Sequence, residues 1–176
     1  MYMVVDTWVF AKIATGIESS DNLWNDSLLL IALIAYYCEH KVVIDHEGEI
    51  LSEYENVFKK LLEGRNNFFM NVQTLIRRFV STGKIIRKAR IPLPKRVYDK
   101  ILEIFDKSDL KFVEVALSIP SNEKIIISGD SDFIKLRDAL NNDEELRRYL
   151  KGIKILTPGE AASLICLLYT SPSPRD

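Results

Sequence analysis

Ile125-Ile126-Ile127-Ser128-Gly129-Asp130-Ser131-Asp132 sets three branched apolar residues directly before a turn that carries two acids. Strands buried on both faces of a parallel sheet read as unbroken Ile and Val runs, and groups just past their carboxyl ends line the ligand crevice of open α/β sheets. A second run, Met3-Val4-Val5, is followed in the same way by Asp6. Two strand tips therefore offer carboxylates to one crevice. Acids that converge without basic partners repel one another unless a cation lies between them, and hard divalent cations such as Mg²⁺ take oxygen ligands. The pattern predicts a carboxylate metal site at the end of a parallel sheet.

Outward from these two runs, apolar patterning predicts strands over 1–5, 41–44, 124–128 and 153–156. Between them lie expected helices at 22–39, apolar nearly all round and so buried, at 50–62 and 71–81, and at 95–105. Another is expected from a Ser108 cap to Pro120 with Asp109 on its first turn, then one from about 133 and one opened by Pro158. Gly83, Pro92 and Pro94 make 82–94 read as irregular, and Asp45 starts a polar turn through Glu49. Strands alternating with helices imply a three-layer α/β/α sandwich around a parallel sheet of four to five strands, because parallel neighbours need crossover connections.

The 176 residues suit one α/β domain, expected over 1–165. The longest apolar stretch, 28–38, is shorter than the roughly 20 residues that cross a bilayer, so no membrane association and a cytoplasmic location are expected. The two cysteines and two histidines lack zinc-ligand or disulfide spacing. The last stretch, 166–176, is rich in Ser and Pro, resembles translated adaptor sequence, and is expected to be a non-native, unstructured tail.

Net charge is −1 but unevenly spread: 65–100 holds ten basic residues and one acid, whereas the remainder holds 14 basic and 24 acidic residues. Such asymmetry is the footprint of a polyanion-binding surface, and it nominates Arg77, Arg78, Lys84, Arg87, Lys88, Arg90, Lys95 and Arg96 as nucleic-acid contacts. A solvated helical face is the plainer alternative. Phe68, Phe69, Phe79 and Tyr98 lie among these charges, either to stack on bases or to fill the core.

Four segments together, VVDT at 4–7, ILSEYENVF at 50–58, DLKFVEVA at 109–116 and IIISGDSDF at 125–133, resemble the PIN-domain nucleases over about 4–162. The resemblance implies a compact metal-dependent nuclease whose catalytic acids are Asp6, Glu53, Asp109 and Asp130. Asp6, Asp109 and Asp130 would be metal ligands, with Asp132 an accessory one. Glu49 or Glu55 stands as an alternative to Glu53. The implied cofactor is Mg²⁺ or Mn²⁺. The implied reaction is in-line attack of water on a phosphodiester, leaving a 5′-phosphate and a 3′-hydroxyl. Single-stranded RNA is the expected substrate, with DNA a second possibility. A toxin–antitoxin or defence role, an antitoxin partner and homodimerisation also come with the resemblance. The family commonly has Asn two positions after its first acid, where this chain has Trp8. A module that binds RNA or a protein partner without cutting is the alternative function.

Each acid also has a local role open to it. Asp6, Asp130 and Asp132 suit helix or turn caps, Asp109 suits the positive end of a helix dipole, and Glu53 suits an exposed helix face. Thr7, Ser128 and Ser131 suit capping, and Trp8 and Trp24 suit packing.

Overall fold

The computed structural model describes residues 1–15, 22–37, 39–63, 67–81 and 83–170. Five strands form one sheet: β1 (Tyr2–Val5), β2 (Lys41–Asp45), β3 (Ile85–Lys88), β4 (Lys124–Ile127) and β5 (Ile153–Leu156). Their order is β3-β2-β1-β4-β5 and every pairing is parallel. The helices are α1 (Thr7–Thr15), α2 (Asn22–Tyr36), α3 (Glu49–Glu63), α4 (Asn67–Ser81), α5 (Lys95–Ile101), α6 (Leu110–Leu117), α7 (Ser131–Asn142), α8 (Glu144–Tyr149) and α9 (Pro158–Thr170).

Parallel crossovers are right-handed, so the chain's direction of travel across the sheet decides which face each helix covers. Moving from β1 to β2 to β3 puts α1 to α4 on one face. Moving back from β3 to β4 to β5 puts α5 to α8 on the other. The packing agrees: α2 lies against α1, α4 and α9, whereas α6 lies across β1, β2 and β4. The result is the three-layer α/β/α sandwich that the alternation of elements implies. Met3, Val4 and Val5, Val42 to Ile44, and Ile125 to Ile127 are almost fully buried in its core.

Several local expectations differ. Residues 85–88, expected to be irregular, form edge strand β3, with Ile85 opposite Val42 and Ile86 opposite Val43. Gly83, at φ +63°, and the prolines bound this short run rather than fill it. Residues 7–15, which carried no prediction, form α1 directly behind Asp6. The helix expected over 22–39 ends at Tyr36, and its Leu29 and Tyr36 are exposed, so it is buried on one side only. The expected 95–105 helix stops at Ile101. Ser108 does not cap α6; it sits in a 3-10 turn (Lys107–Asp109) that Asp106 caps. Residues 166–170, expected to be unstructured, continue α9 to Thr170. Residues 171–176, Arg65, and the side chains of Phe68 and Phe69 lie outside what is described. Phe79 is core rather than a stacking surface.

The strand order reverses between β1 and β4, where the chain that moved away in one direction returns on the opposite side. In open α/β sheets the crevice at such a switch point, beyond the carboxyl ends of the strands, is where ligands bind.

Candidate metal centre

Asp6 follows β1 and Asp130 follows β4, so the two flank the switch point. Their strand tips are tied by the backbone, Asp6 N–H donating to the Ile127 carbonyl at 2.9 Å. Asp109 is the N-cap position of α6, a helix that returns across the sheet and therefore starts at the same edge. Glu53 lies near the start of α3, which leaves the tip of β2. Topology thus brings all four acids to one end of the sheet.

Asp6 is 5% exposed. One of its oxygens accepts the Trp8 N–H at 3.2 Å, and the other accepts the Ser128 hydroxyl. Ser128 Oγ also accepts the Asp130 N–H at 3.0 Å, making a bridge between the two strand-tip acids. Burial pushes the Asp6 carboxyl up to about 7; the Ser128 and Trp8 bonds pull against it, and the charges of Asp109 and Asp130 push with burial. Asp109 is raised as well. Burial is the main cause, opposed by Lys111 and assisted by Asp106, Asp130 and Glu53. These carboxylates therefore sense one another across three separate elements.

Asp130 caps α7 with one oxygen, Oδ1 accepting the Asp132 N–H at 2.8 Å. Among the described residues nothing donates to its other oxygen, and the Asp109 side chain makes no capping bond. Asp132 stands on the rim with Oδ1 held by Lys135 at 2.8 Å.

Glu53 has both oxygens engaged: Thr7 Oγ1 donates to Oε2 at 2.8 Å, and Lys111 Nζ stands 2.6 Å from Oε1. The expectation that the acids would lack basic partners is therefore corrected at Glu53, because α6 carries Lys111 in among them. Lys111 is 6% exposed and also donates to the Ser108 carbonyl. The sequence reading missed it. Its only trace is a lysine between Leu110 and Phe112, interrupting a run that is otherwise buried. Glu49, the alternative to Glu53, pairs with Arg90 at 2.7 Å.

Among the described residues, no three acidic, histidine or cysteine side chains stand gathered around one point at ligating distance. The donor set is oxygen throughout, which suits Mg²⁺ or Mn²⁺. Among the described residues, Asp109 and one oxygen of Asp130 accept no side-chain hydrogen bond.

A cleft of about 570 Å³ opens beside the acids, lined by Glu49, Glu53, Arg90, Tyr98, Lys111 and Glu114 among others. It shares Glu53 and Lys111 with the acidic crevice. Trp8 lies over the turn after β4: a Cβ on Gly129 would fall 2.4 Å from its ring.

The proposed nucleic-acid contacts divide. Arg77 and Arg78 are exposed on α4, with Arg78 over the Tyr36 ring at 4.3 Å. Arg87 and Lys95 are exposed, and Lys88 partly so. Arg96 is exposed and pairs with Glu145 at 2.9 Å. Lys84 is corrected: it is 2% exposed and its ammonium donates to the Tyr37 carbonyl, so it is a structural residue. Arg90 is bound to Asp45 at 3.0 Å and to Glu49, an anchor between β2 and the segment after β3.

Fold and crevice together define an α/β/α protein with one buried carboxylate, Asp6, and the half-buried Asp109 and Asp130 at its topological switch point. Comparison with known protein families, curated proteins and solved structures gives no significant match. Among the described residues no helix is long and apolar enough to cross a membrane.

Proposed function

We propose that this protein is a Mg²⁺- or Mn²⁺-dependent endonuclease that hydrolyses phosphodiester bonds, with single-stranded RNA as its substrate. One observation carries the reading. Asp6, Asp109 and Asp130 come from three elements to the switch point, where burial of Asp6, helped by the charges of the other two, raises its carboxyl to about 7 with no cation among the described residues bonded to it.

Asp6, Asp109 and Asp130 would hold the ion, with Asp132 on the rim. Mg²⁺ or Mn²⁺, when bound, supplies Lewis-acid polarisation of a phosphoryl oxygen and makes water a stronger acid. Ser128 fixes the direction of Asp6 and couples it to the Asp130 backbone. The α6 N-terminus places its positive dipole end beside Asp109, where the substrate's phosphate would arrive. Arg77, Arg78, Arg87, Lys88 and Lys95 supply positive charge for the nucleic-acid backbone, along a path from α4 over the β3 edge to α5.

A second reading, a module that binds RNA without cutting it, draws support from the Glu53–Lys111 pair, which neutralises one of the four acids. One experiment separates the two. Purified protein is incubated with labelled single-stranded RNA and DNA, with Mn²⁺ or with EDTA, beside Asp6→Asn and Asp130→Asn. The expected result is RNA cleavage that needs Mn²⁺ and is lost in both variants. Cleavage that survives EDTA removes the metal mechanism, and retention of RNA without cleavage selects the binding module.

A further inference from the structure

We propose that the cleft beside the acids is a guanine subsite, in which one base of the RNA strand is read by Glu114 and stacked on Tyr98. The inference rests on the single-stranded RNA reading above and names the base next to the bond that is cut. The cleft, about 570 Å³, has the size of a small-ligand site. It shares Glu53 and Lys111 with the acidic crevice, so one strand can enter both.

Most of the charge lining the cleft is already paired. Glu49 is bound to Arg90 at 2.7 Å and Glu53 to Lys111 at 2.6 Å. Among the described residues this leaves two lining charges without an ion pair, the half-buried Glu114 on α6 and the exposed Lys107 in the turn before it. The Tyr98 ring packs against the core and also lines the cleft, and its hydroxyl has no hydrogen-bond partner among the described residues. Leu110, 4% exposed, adds an apolar surface. An aromatic ring with an apolar neighbour takes the flat face of a base, the way unpaired RNA bases are held. A carboxylate only accepts hydrogen bonds, so it selects the base whose edge presents two adjacent donors. Guanine does so with N1–H and its N2 amino group. Adenine and cytosine set a ring-nitrogen lone pair beside their amino group, and uracil flanks its one N–H with two carbonyls, so each would turn an acceptor toward Glu114. Lys107 supplies charge for the phosphate that the base brings with it.

The test measures binding in EDTA, by fluorescence anisotropy, of a labelled oligoadenylate and of the same strand with one central guanosine or inosine. The guanosine strand should bind wild type about tenfold more tightly than the all-adenosine strand, with inosine, which lacks the N2 amino group, in between. Glu114→Gln puts an N–H donor in place of one acceptor and should erase that preference. Tyr98→Leu should weaken the guanosine strand about fivefold or more. With Mn²⁺, cleavage should fall beside the guanosine. Equal binding of the guanosine and adenosine strands, or a preference that Glu114→Gln leaves intact, would overturn the inference, and Mn²⁺-dependent cleavage without base preference would leave the nuclease reading standing. Guanosine-selective binding without cleavage keeps the subsite and removes the nuclease. No RNA bound by wild type overturns both. Guanosine monophosphate that binds as tightly as the guanosine strand would assign the cleft to a free nucleotide, and so overturn the inference as well. If Glu114→Gln fails to fold, the inosine strand decides, because it removes one of the two donors from the ligand side.

Discussion

Asp6→Asn should stabilise the protein at alkaline pH. In the folded chain the Asp6 carboxyl titrates at about 7, against an ordinary value of 3.8. A group whose folded value is raised binds its proton more tightly in the folded state. Its contribution is therefore fully present below about pH 4 and is lost as pH rises through about 7. At 1.36 kcal/mol per pH unit, the gap amounts to about 4 kcal/mol at pH 8 without divalent ions. Between pH 5 and pH 8 the loss is about 3 kcal/mol. Asparagine has nearly the same shape, still accepts the Trp8 N–H, and donates its amide to Ser128 Oγ, so it keeps the contacts without the charge. Urea unfolding in EDTA, run at pH 5 and pH 8 on wild type and Asp6→Asn, isolates the effect because groups common to both proteins cancel. The variant should gain on the wild type by about 3 kcal/mol over that span, and Mn²⁺ should restore the wild type alone. Parallel pH dependence in the two proteins would refute the claim that Asp6 is buried without adequate compensation.

Gly129→Ala drives a Cβ to 2.4 Å from the Trp8 ring and should cost about 1–3 kcal/mol by thermal unfolding; Trp8→Ala in the same chain should relieve part of it, a coupling that a double-mutant cycle reads directly. Asp45→Ala removes the acceptor of the Glu49 and Ile50 N–H groups and a partner of Arg90, and should destabilise by about 3 kcal/mol in denaturant unfolding. Arg77→Ala with Arg78→Ala should weaken binding of unrelated RNA sequences alike, and should lower the slope of log K against log salt by up to about 1.4 if both contact phosphate.

The patterns legible in the sequence are those set by local burial. β1, β2, β4 and β5 announce themselves because strands covered on both faces are unbroken apolar runs. β3 does not: at the sheet edge Ile85 and Ile86 are only half-buried, and Arg87 and Lys88 end the run before it looks like a strand. α1 is hidden because Asp6 alone separates it from β1, leaving no turn to mark it. The strand-tip acids were legible for the same local reason as the strands. Lys84 and Lys111 were not, because a lysine in a basic or acidic stretch reads as solvent-facing. What buries each is a tertiary partner, the Tyr37 carbonyl after α2 in one case and Glu53 on α3 in the other.

A strand-tip aspartate followed by a helix is, on local evidence, a cap, and the fold contains its own control for that explanation. Asp45 at the tip of β2 is fully buried, as Asp6 nearly is after β1. Burial pushes the Asp45 carboxyl up, yet the Ile50 and Glu49 N–H groups and Arg90 outweigh it and hold the carboxyl below the ordinary aspartate range. Asp6 has one backbone N–H and one neutral hydroxyl, with two further carboxylates for neighbours and no arginine or lysine bonded to it. The two positions share location, burial and a following helix, but their charges are handled in opposite ways. Capping and the Arg90 ion pair together account for Asp45. Capping leaves Asp6 without a cationic partner among the described residues, and an aspartate kept at that disadvantage beside Asp109 and Asp130 is the ground on which a cation site at the switch point is proposed.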